Sequence, residues 1–320
     1  MDEIVPIQKN EYSEQDLKEK SIEVLNGLDV SEGTRIDYVA RIGLFIEFIQ
    51  KNSYDKNSFL MYKRFLASRN DITVSTKAKY LAVARVFLRE LHRLSYLPVD
   101  ITQNVKGFAQ SQKHKRFGLN DGEIKLIMES LKGLEESRET HRLKTLIGLL
   151  TYQGLRLIEL VRLDVQDIHF ASGTAVVWGK GQQGKEDVID LHPELVKILK
   201  GYMDYCKVKD GVLIVSFGNR NHNGRMSTRS LRRIVQDFLE TIGIDNSYCH
   251  AFRHHFVTRL LREFSGDILK TRKFSRHSST ESILAYADDV SRKDDLPAFY
   301  KAFDFDGKSG CMSHNSDYKT

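Results

Sequence analysis

Cysteine is scarce in this chain, long apolar runs are absent, and no internal repeat is visible. Each absence removes a class of protein. Cys206, Cys249 and Cys311 are the three cysteines; they show neither CxxC spacing nor an even-numbered framework, so no disulfide scaffold and no structural zinc site is expected. No apolar run approaches the roughly 20 residues needed to span a bilayer. Asp2 and Glu3 stand where a secretory leader would be basic and then apolar. The expectation is a cytoplasmic chain with reduced thiols and no membrane contact.

What is present is an ordinary globular balance, 41% hydrophobic and 29% charged over 320 residues, more than one compact domain usually holds. The net charge of +6 is unevenly spread. Residues 1 to 30 hold three basic residues against eight acidic, which leaves +11 on the remainder. Such a surplus fits a polyanionic partner, although many basic proteins bind none.

Residues 1–25 read as a mobile acidic tail. Helical spacing then sets in: Ile36, Val39, Ala40, Leu44, Phe45, Phe48 and Ile49 define one apolar face, Phe59 to Leu66 a second helix, and Tyr80, Leu81, Ala84, Phe87, Leu88 and Leu91 a third. Lys77, Lys79, Arg85, Arg89 and Arg93 lie between the apolar positions of that third helix. They are either a solvated face or a surface set on DNA backbone. Residues 26–108 thus form a helical domain, and the basic stretch 109–117, with Lys113, Lys115 and Arg116, reads as a linker crossing phosphates.

Residues 118–305 form a second domain, and 306–320 a disordered tail. A helix over Arg142 to Tyr152 stops at Gly154, a residue tolerant of positive φ. Asp167 to Phe170, Thr174 to Trp178 and Asp187 to Leu191 alternate as three short strands, and Gly179-Lys180-Gly181 opens a hairpin tip. Helices return at Pro193 to Val208, Ser227 to Ile242 and Ala251 to Phe264. The fold class is therefore mainly α with a small antiparallel β-sheet, in two domains.

Two arginines stand near helix starts, Arg156 in Gly154-Leu155-Arg156-x-x-Glu159-Leu160 and Arg253 in His250-x-x-Arg253. Unpaired N–H groups and the positive dipole end there favour an anion. Each arginine alone is more often structural. His277 follows Arg253 by 24 residues and Tyr286 follows His277 by nine. Taken in order, these boxes and the Gly179-Lys180-Gly181 hairpin resemble the tyrosine recombinases, the phage-type integrases and Xer-like enzymes. Ser31-x-x-Thr34-x-x-x-Tyr38 and Val74-Ser75-Thr76-Lys77 resemble that family's core-binding domain, so the likeness covers about 30 to 305.

The resemblance implies a clamp of two domains on double-stranded DNA and cleavage by a tyrosine through a 3′-phosphotyrosine link, with no cofactor and no metal. It assigns Tyr286 as nucleophile, Arg156 and Arg253 as phosphate binders, Lys180 as general acid, His250 as proton-transfer partner and His277 as a further phosphate donor. Lys185 in the same turn competes with Lys180. Glu159 and His254 are expected to orient other groups, and Glu159 could instead face solvent. His250 and His254 have a spacing that also suits zinc, but neither a zincin glutamate nor a third ligand accompanies them.

Two departures from the family pattern stand out. Arg276 replaces the usual glycine before His277, leaving the local turn open or adding a phosphate contact, and Phe252 replaces a leucine. After the charged stretch 291–295, Leu296, Phe299, Tyr300 and Phe303 form an i, i+3, i+4, i+7 stripe. In the family such a helix docks on a neighbouring protomer of a DNA-bound homotetramer; packing in cis is the alternative, and a second recombinase stays open as partner. The rival functions are relaxation of DNA in the manner of a type IB topoisomerase and a DNA-binding protein without catalysis. The target site, and mobile-element integration against dimer resolution, are not legible.

Overall fold

The computed structural model describes residues 14–52, 54–109, 118–179, 186–218, 221–245, 247–284, 286 and 299–302. The chain divides into two compact units, residues 1–111 and 112–320. None of the described helices is long and apolar enough to cross a membrane.

The first unit is all helical. Helix α1 spans Glu14–Asn26, α2 Glu32–Asn52, α3 Ser58–Ser68 and α4 Val74–Arg93. The aromatic positions expected on α2 and α3 meet in its core: Phe45, Phe59 and Tyr62 are fully buried, with Phe45 edge-on to Tyr62 at 4.9 Å between ring centroids. Thr73 caps α4 by accepting the Thr76 amide. One boundary needs correction. The acidic tail expected over residues 1–25 contains α1, whose Ser21, Val24 and Leu25 are buried. Two apolar residues and a serine suffice to dock that helix, too few to register as a periodic face.

In the second unit, α5 spans Asp121–Lys132, α6 Arg138–Gln153 and α7 Leu157–Arg162. Asn120 and Glu123 form a reciprocal capping box at the start of α5. Helix α6 runs through the core, with Leu146, Ile147, Leu149 and Leu150 all buried, and packs against α8 (Pro193–Cys206), α9 (Thr228–Thr241) and α10 (Cys249–Glu263). A short helix α11, Ile268–Ser275, follows; the sequence reading left this segment without a helix.

Strands β1 (Ile168–His169), β2 (Thr174–Trp178) and β3 (Glu186–Asp190) form an antiparallel sheet in the order β1-β2-β3. Val176 lies opposite Val188 and Trp178 opposite Glu186. Ala175, Val177 and Ile189 face the core, whereas Val188 points outward, as the two-residue period of a half-buried sheet requires. Arg162, the last residue of α7, donates to the Gly179 carbonyl and so ties the end of β2 to the helix that follows Arg156.

Gly154 is the pivot between α6 and α7. Its φ of +56° is left-handed, and its amide closes α6 onto the Leu150 carbonyl. A Cβ at this position would lie 2.5 Å from Phe256 Cδ1. Gly154→Ala is therefore expected to lower stability by about 2 to 4 kcal/mol, backbone strain and overpacking together, measured as a shift of the urea unfolding midpoint; a shift below 0.5 kcal/mol, the scatter of neutral surface changes, would contradict this account.

Candidate active site

Because Gly154 reverses the chain, Leu155 enters the core and Arg156 becomes the extended residue preceding α7. Three residues on, Glu159 turns back. Its Oε2 accepts the Arg156 amide at 2.9 Å and its Oε1 the Arg156 Nη1 at 2.7 Å. The carboxylate is 2% exposed while the Arg156 side chain keeps 35%. Glu159 thus fixes the guanidinium from the protein side and leaves its outer edge free for an anion.

Arg253 comes from α10 and is 1% exposed. Its Nη1 donates to the Gly154 carbonyl at 2.7 Å and its Nη2 to the Ser275 carbonyl at 2.5 Å. Both acceptors lie at helix C-terminal ends, where the backbone is partly negative. Its Nε is buried and has no hydrogen-bond partner among the described residues. Burial, then the like charges of Arg156 and Arg276, pull this guanidinium down to about 9. It is still a cation at neutral pH.

Arg276 ends α11 in the left-handed region at φ +55°, a conformation that costs a residue bearing a Cβ about 1 to 2 kcal/mol. Its side chain folds inward to 5% exposure, with Nη2 3.2 Å from Glu159 Oε2. Nη1 donates to Gln153 and Phe274 carbonyls at 3.3 and 3.4 Å. The sequence reading offered Arg276 as a phosphate contact; the structure gives it internal partners instead. Glu159 is accordingly held below the usual carboxylate range: burial opposes ionisation, but Arg276 and Arg156 together outweigh it.

The left-handed turn at Arg276 delivers His277 next to the arginines, with Nδ1 2.8 Å from Ser275 Oγ. Tyr286 is helical and 5% exposed, packed with Val257, Leu261 and Ile283. Its ring centroid is 4.9 Å from that of His254 and 6.0 Å from that of His277, and His254 lies 5.0 Å from His250. Burial raises the phenol; Arg253 and Arg156 draw it partly back. Arg156, Arg253, His250, His254, His277, Glu159 and Tyr286 therefore share one region. Among the described residues no His, Cys, Asp and Glu group could hold a metal ion.

The same helix is gripped from its other side. A Cβ on Gly118 would lie 2.7 Å from His254 Cβ, and Asp121 accepts from His255 at 2.8 Å and Arg259 at 3.3 Å. The chain entering this unit is thus fastened to the helix carrying His250 and Arg253.

The basic residues expected on DNA separate into groups. Lys79 is exposed. Lys77 is buried and donates to the Ala67 carbonyl at 2.9 Å. Arg85 reaches the Val105 carbonyl at 2.5 Å and stacks on Phe59, and Arg89 donates to Thr102 Oγ1 at 3.1 Å while its side chain keeps 58% exposure. These two hold the segment after α4. Lys113, Lys115, Arg116 and Lys180, with Lys185, lie outside the described residues, as do Leu296 and Phe303; Phe299 and Tyr300 are exposed. Sequence reasoning missed Ser275 and Gln153: both supply backbone carbonyls, which leave no residue-type signal, and Ser275 adds its hydroxyl beside His277 Nδ1.

Burial, then the positive charges of Arg253 and Arg156, push the His277 imidazole down to about 3. Between its ordinary 6.5 and about 3, the unfolded chain binds a proton that the folded chain refuses. Stability from this group is therefore full above 6.5 and declines as pH falls toward 3. His277→Gln is expected to flatten that acid-side decline in thermal melts; an unchanged slope would mean the ring is not held neutral.

A sequence profile of the phage integrase family matches residues 119–292. The chain is 28% identical over 232 residues to a tyrosine recombinase XerC of Pelobacter propionicus, covering 71% of this chain and 73% of that protein. To a tyrosine recombinase XerD of Mycobacterium leprae it is 29% identical over 220 residues, covering 64% and 68%. Among solved structures, XerH site-specific recombinase in a post-cleavage complex with palindromic difH substrate aligns with a TM-score of 0.71 at 18% identity, covering 91% of this chain and 85% of that one. A lambda integrase dimer bound to a COC′ core site aligns at 0.60 and 15% identity, covering 86% and 95%. At those identities the structural likeness speaks to the fold alone, which in this chain is mainly helical with one small antiparallel sheet. The profile, by contrast, extends over more than half of the chain and takes in both arginine boxes, His277 and Tyr286: the chain belongs to the phage integrase family of tyrosine recombinases.

Proposed function

We propose that this protein is a site-specific DNA recombinase that cleaves and rejoins duplexes through a covalent 3′-phosphotyrosine link at Tyr286. One observation carries the reading: two fixed guanidiniums, one with an outward edge, stand in the same region as a phenol ringed by imidazoles. That is the equipment for an in-line displacement at a phosphodiester.

In the proposed step, Tyr286 Oη bonds to phosphorus and the bond to the 5′-oxygen breaks. The phenol proton passes to an imidazole, for which His250 is the assigned acceptor, and the 5′-oxygen takes a proton from Lys180. Arg156 and Arg253 offset the charge growing on the non-bridging oxygens, with the neutral His277 ring donating an N–H. Bond energy stays in the ester, so attack by the free 5′-hydroxyl of another strand reverses the step and exchanges partners.

The remaining proposals concern assembly. Double-stranded DNA is the partner, a homotetramer acting in the cytoplasm the working form, and the Leu296, Phe299, Tyr300, Phe303 stripe the contact between protomers. The exposure of Phe299 and Tyr300 supports this.

A nicked suicide duplex bearing a site selected from random DNA is expected to trap a detergent-stable adduct. Tyr286→Phe is expected to lower adduct formation by at least ~10³-fold, since no other group supplies the nucleophile, with duplex binding retained. An adduct formed equally by Tyr286→Phe would remove Tyr286 from the reaction, and relaxation of any supercoiled plasmid without site preference would favour the topoisomerase reading. Truncation after Asp295 is expected to leave binding by one protomer intact and abolish cooperative assembly in gel-shift titrations; undiminished cooperativity would place that stripe in cis.

A further inference from the structure

Arg276 breaks a local rule, since a left-handed residue at a helix end is ordinarily glycine or asparagine. Its side chain is nonetheless drawn inside. At 5% exposure both terminal nitrogens are bonded within the protein, and Nε is buried with no hydrogen-bond partner among the described residues. What it does hold is Glu159. The two carboxylate oxygens divide their work: Oε1 takes the Arg156 guanidinium, while Oε2 takes the Arg156 amide and the Arg276 guanidinium. A buried carboxylate pinned at both oxygens cannot rotate, so the side chain it grips cannot wander.

The same guanidinium also bonds the Gln153 carbonyl, one residue before Gly154, whose own carbonyl Arg253 occupies. Arg253 in turn bonds the Ser275 carbonyl, one residue before Arg276. Two cations therefore cross-link the same two helix ends, Gln153-Gly154 and Ser275-Arg276. Arg156 leaves one of those ends and His277 leaves the other.

We propose that Arg276 is a positioning residue for strand cleavage: through Glu159 it fixes the guanidinium of Arg156 relative to His277. This rests on the phosphotyrosine reading above and adds to it a residue that touches no DNA. Charge alone would not require it, because Arg156 and Arg253 already place two cations in this region.

Single-turnover cleavage of the suicide duplex by the full chain tests this with Arg276→Gly, Arg276→Lys, Glu159→Gln and the Arg276→Gly/Glu159→Gln pair. Glycine suits the positive φ, so a loss cannot come from strain at that turn. Arg276→Gly is expected to cleave ~10- to 100-fold more slowly at saturating duplex, the scale of a sub-ångström to ångström misplacement, with duplex affinity unchanged. Arg276→Lys should recover part of the rate, and the pair should be no slower than the slower single variant. Wild-type cleavage by Arg276→Gly would overturn the proposal, as would a loss confined to affinity, or strictly additive losses in the pair. Should Arg276→Gly fail to fold, the Arg276→Lys rate against affinity decides alone. Absence of an adduct from the wild-type protein would instead bring down the phosphotyrosine reading, and this role with it.

Discussion

Taking a guanidinium out of water costs several kcal/mol even after the protein relaxes around it, and Arg253 sits at 1% exposure with no carboxylate among the described residues bonded to it. Two carbonyl dipoles offset part of that cost. They come from Gly154, at the end of α6, and Ser275, at the end of α11, so the bonds that keep the cation tolerable also draw two helix ends together. Without that convergence Arg156 and His277 would have no common reference point. The positive φ at Gly154 and at Arg276 follows from it, since each chain must reverse directly beside the clamped carbonyl.

The arginines consequently carry different loads. Arg253 serves the framework with its two Nη groups and keeps Nε unbonded among the described residues. Arg156, a third exposed, is the one presented outward. Arg276 is committed wholly to the interior. Three guanidiniums share this region with one carboxylate, Glu159, which Arg156 and Arg276 contact, so the site is electropositive and best satisfied by an anion. A phosphodiester fits that requirement, and a neutral ligand would leave the desolvated cations unbalanced.

Much of this was legible in residue order because it depends on local physics. The apolar faces of α2 and α4, the stop at Gly154 and the alternation in β2 follow from short-range preferences. The site residues were legible for another reason, as ordered boxes whose spacing matches a family. What escaped was tertiary. Helix α1 buries only Ser21, Val24 and Leu25, too thin a signature beside its acidic neighbours. Lys77 and Arg85 have basic side chains on a helix, and nothing local distinguishes a phosphate contact from a bond to Ala67 or Val105. Arg276 meets Glu159 from 117 residues away in the chain, a pairing that no short window of sequence contains.

The position of Tyr286 bears on how its proton can leave. Apolar packing against Val257, Leu261 and Ile283 fixes the ring, and burial raises the phenol further than Arg253 and Arg156 lower it. At neutral pH the oxygen is thus protonated. Binding a phosphodiester would cancel much of the arginine field, which removes the only influence favouring phenolate. For the proposed cleavage a preformed nucleophile is therefore the wrong picture, and the proton would depart as the bond to phosphorus forms. The acceptor then has to be a base whose own affinity for protons rises at that moment. An imidazole repelled by the same arginines meets that condition, and the lowered His277 ring shows that such repulsion acts in this region: the anion that suppresses the phenolate also makes a neighbouring ring more basic.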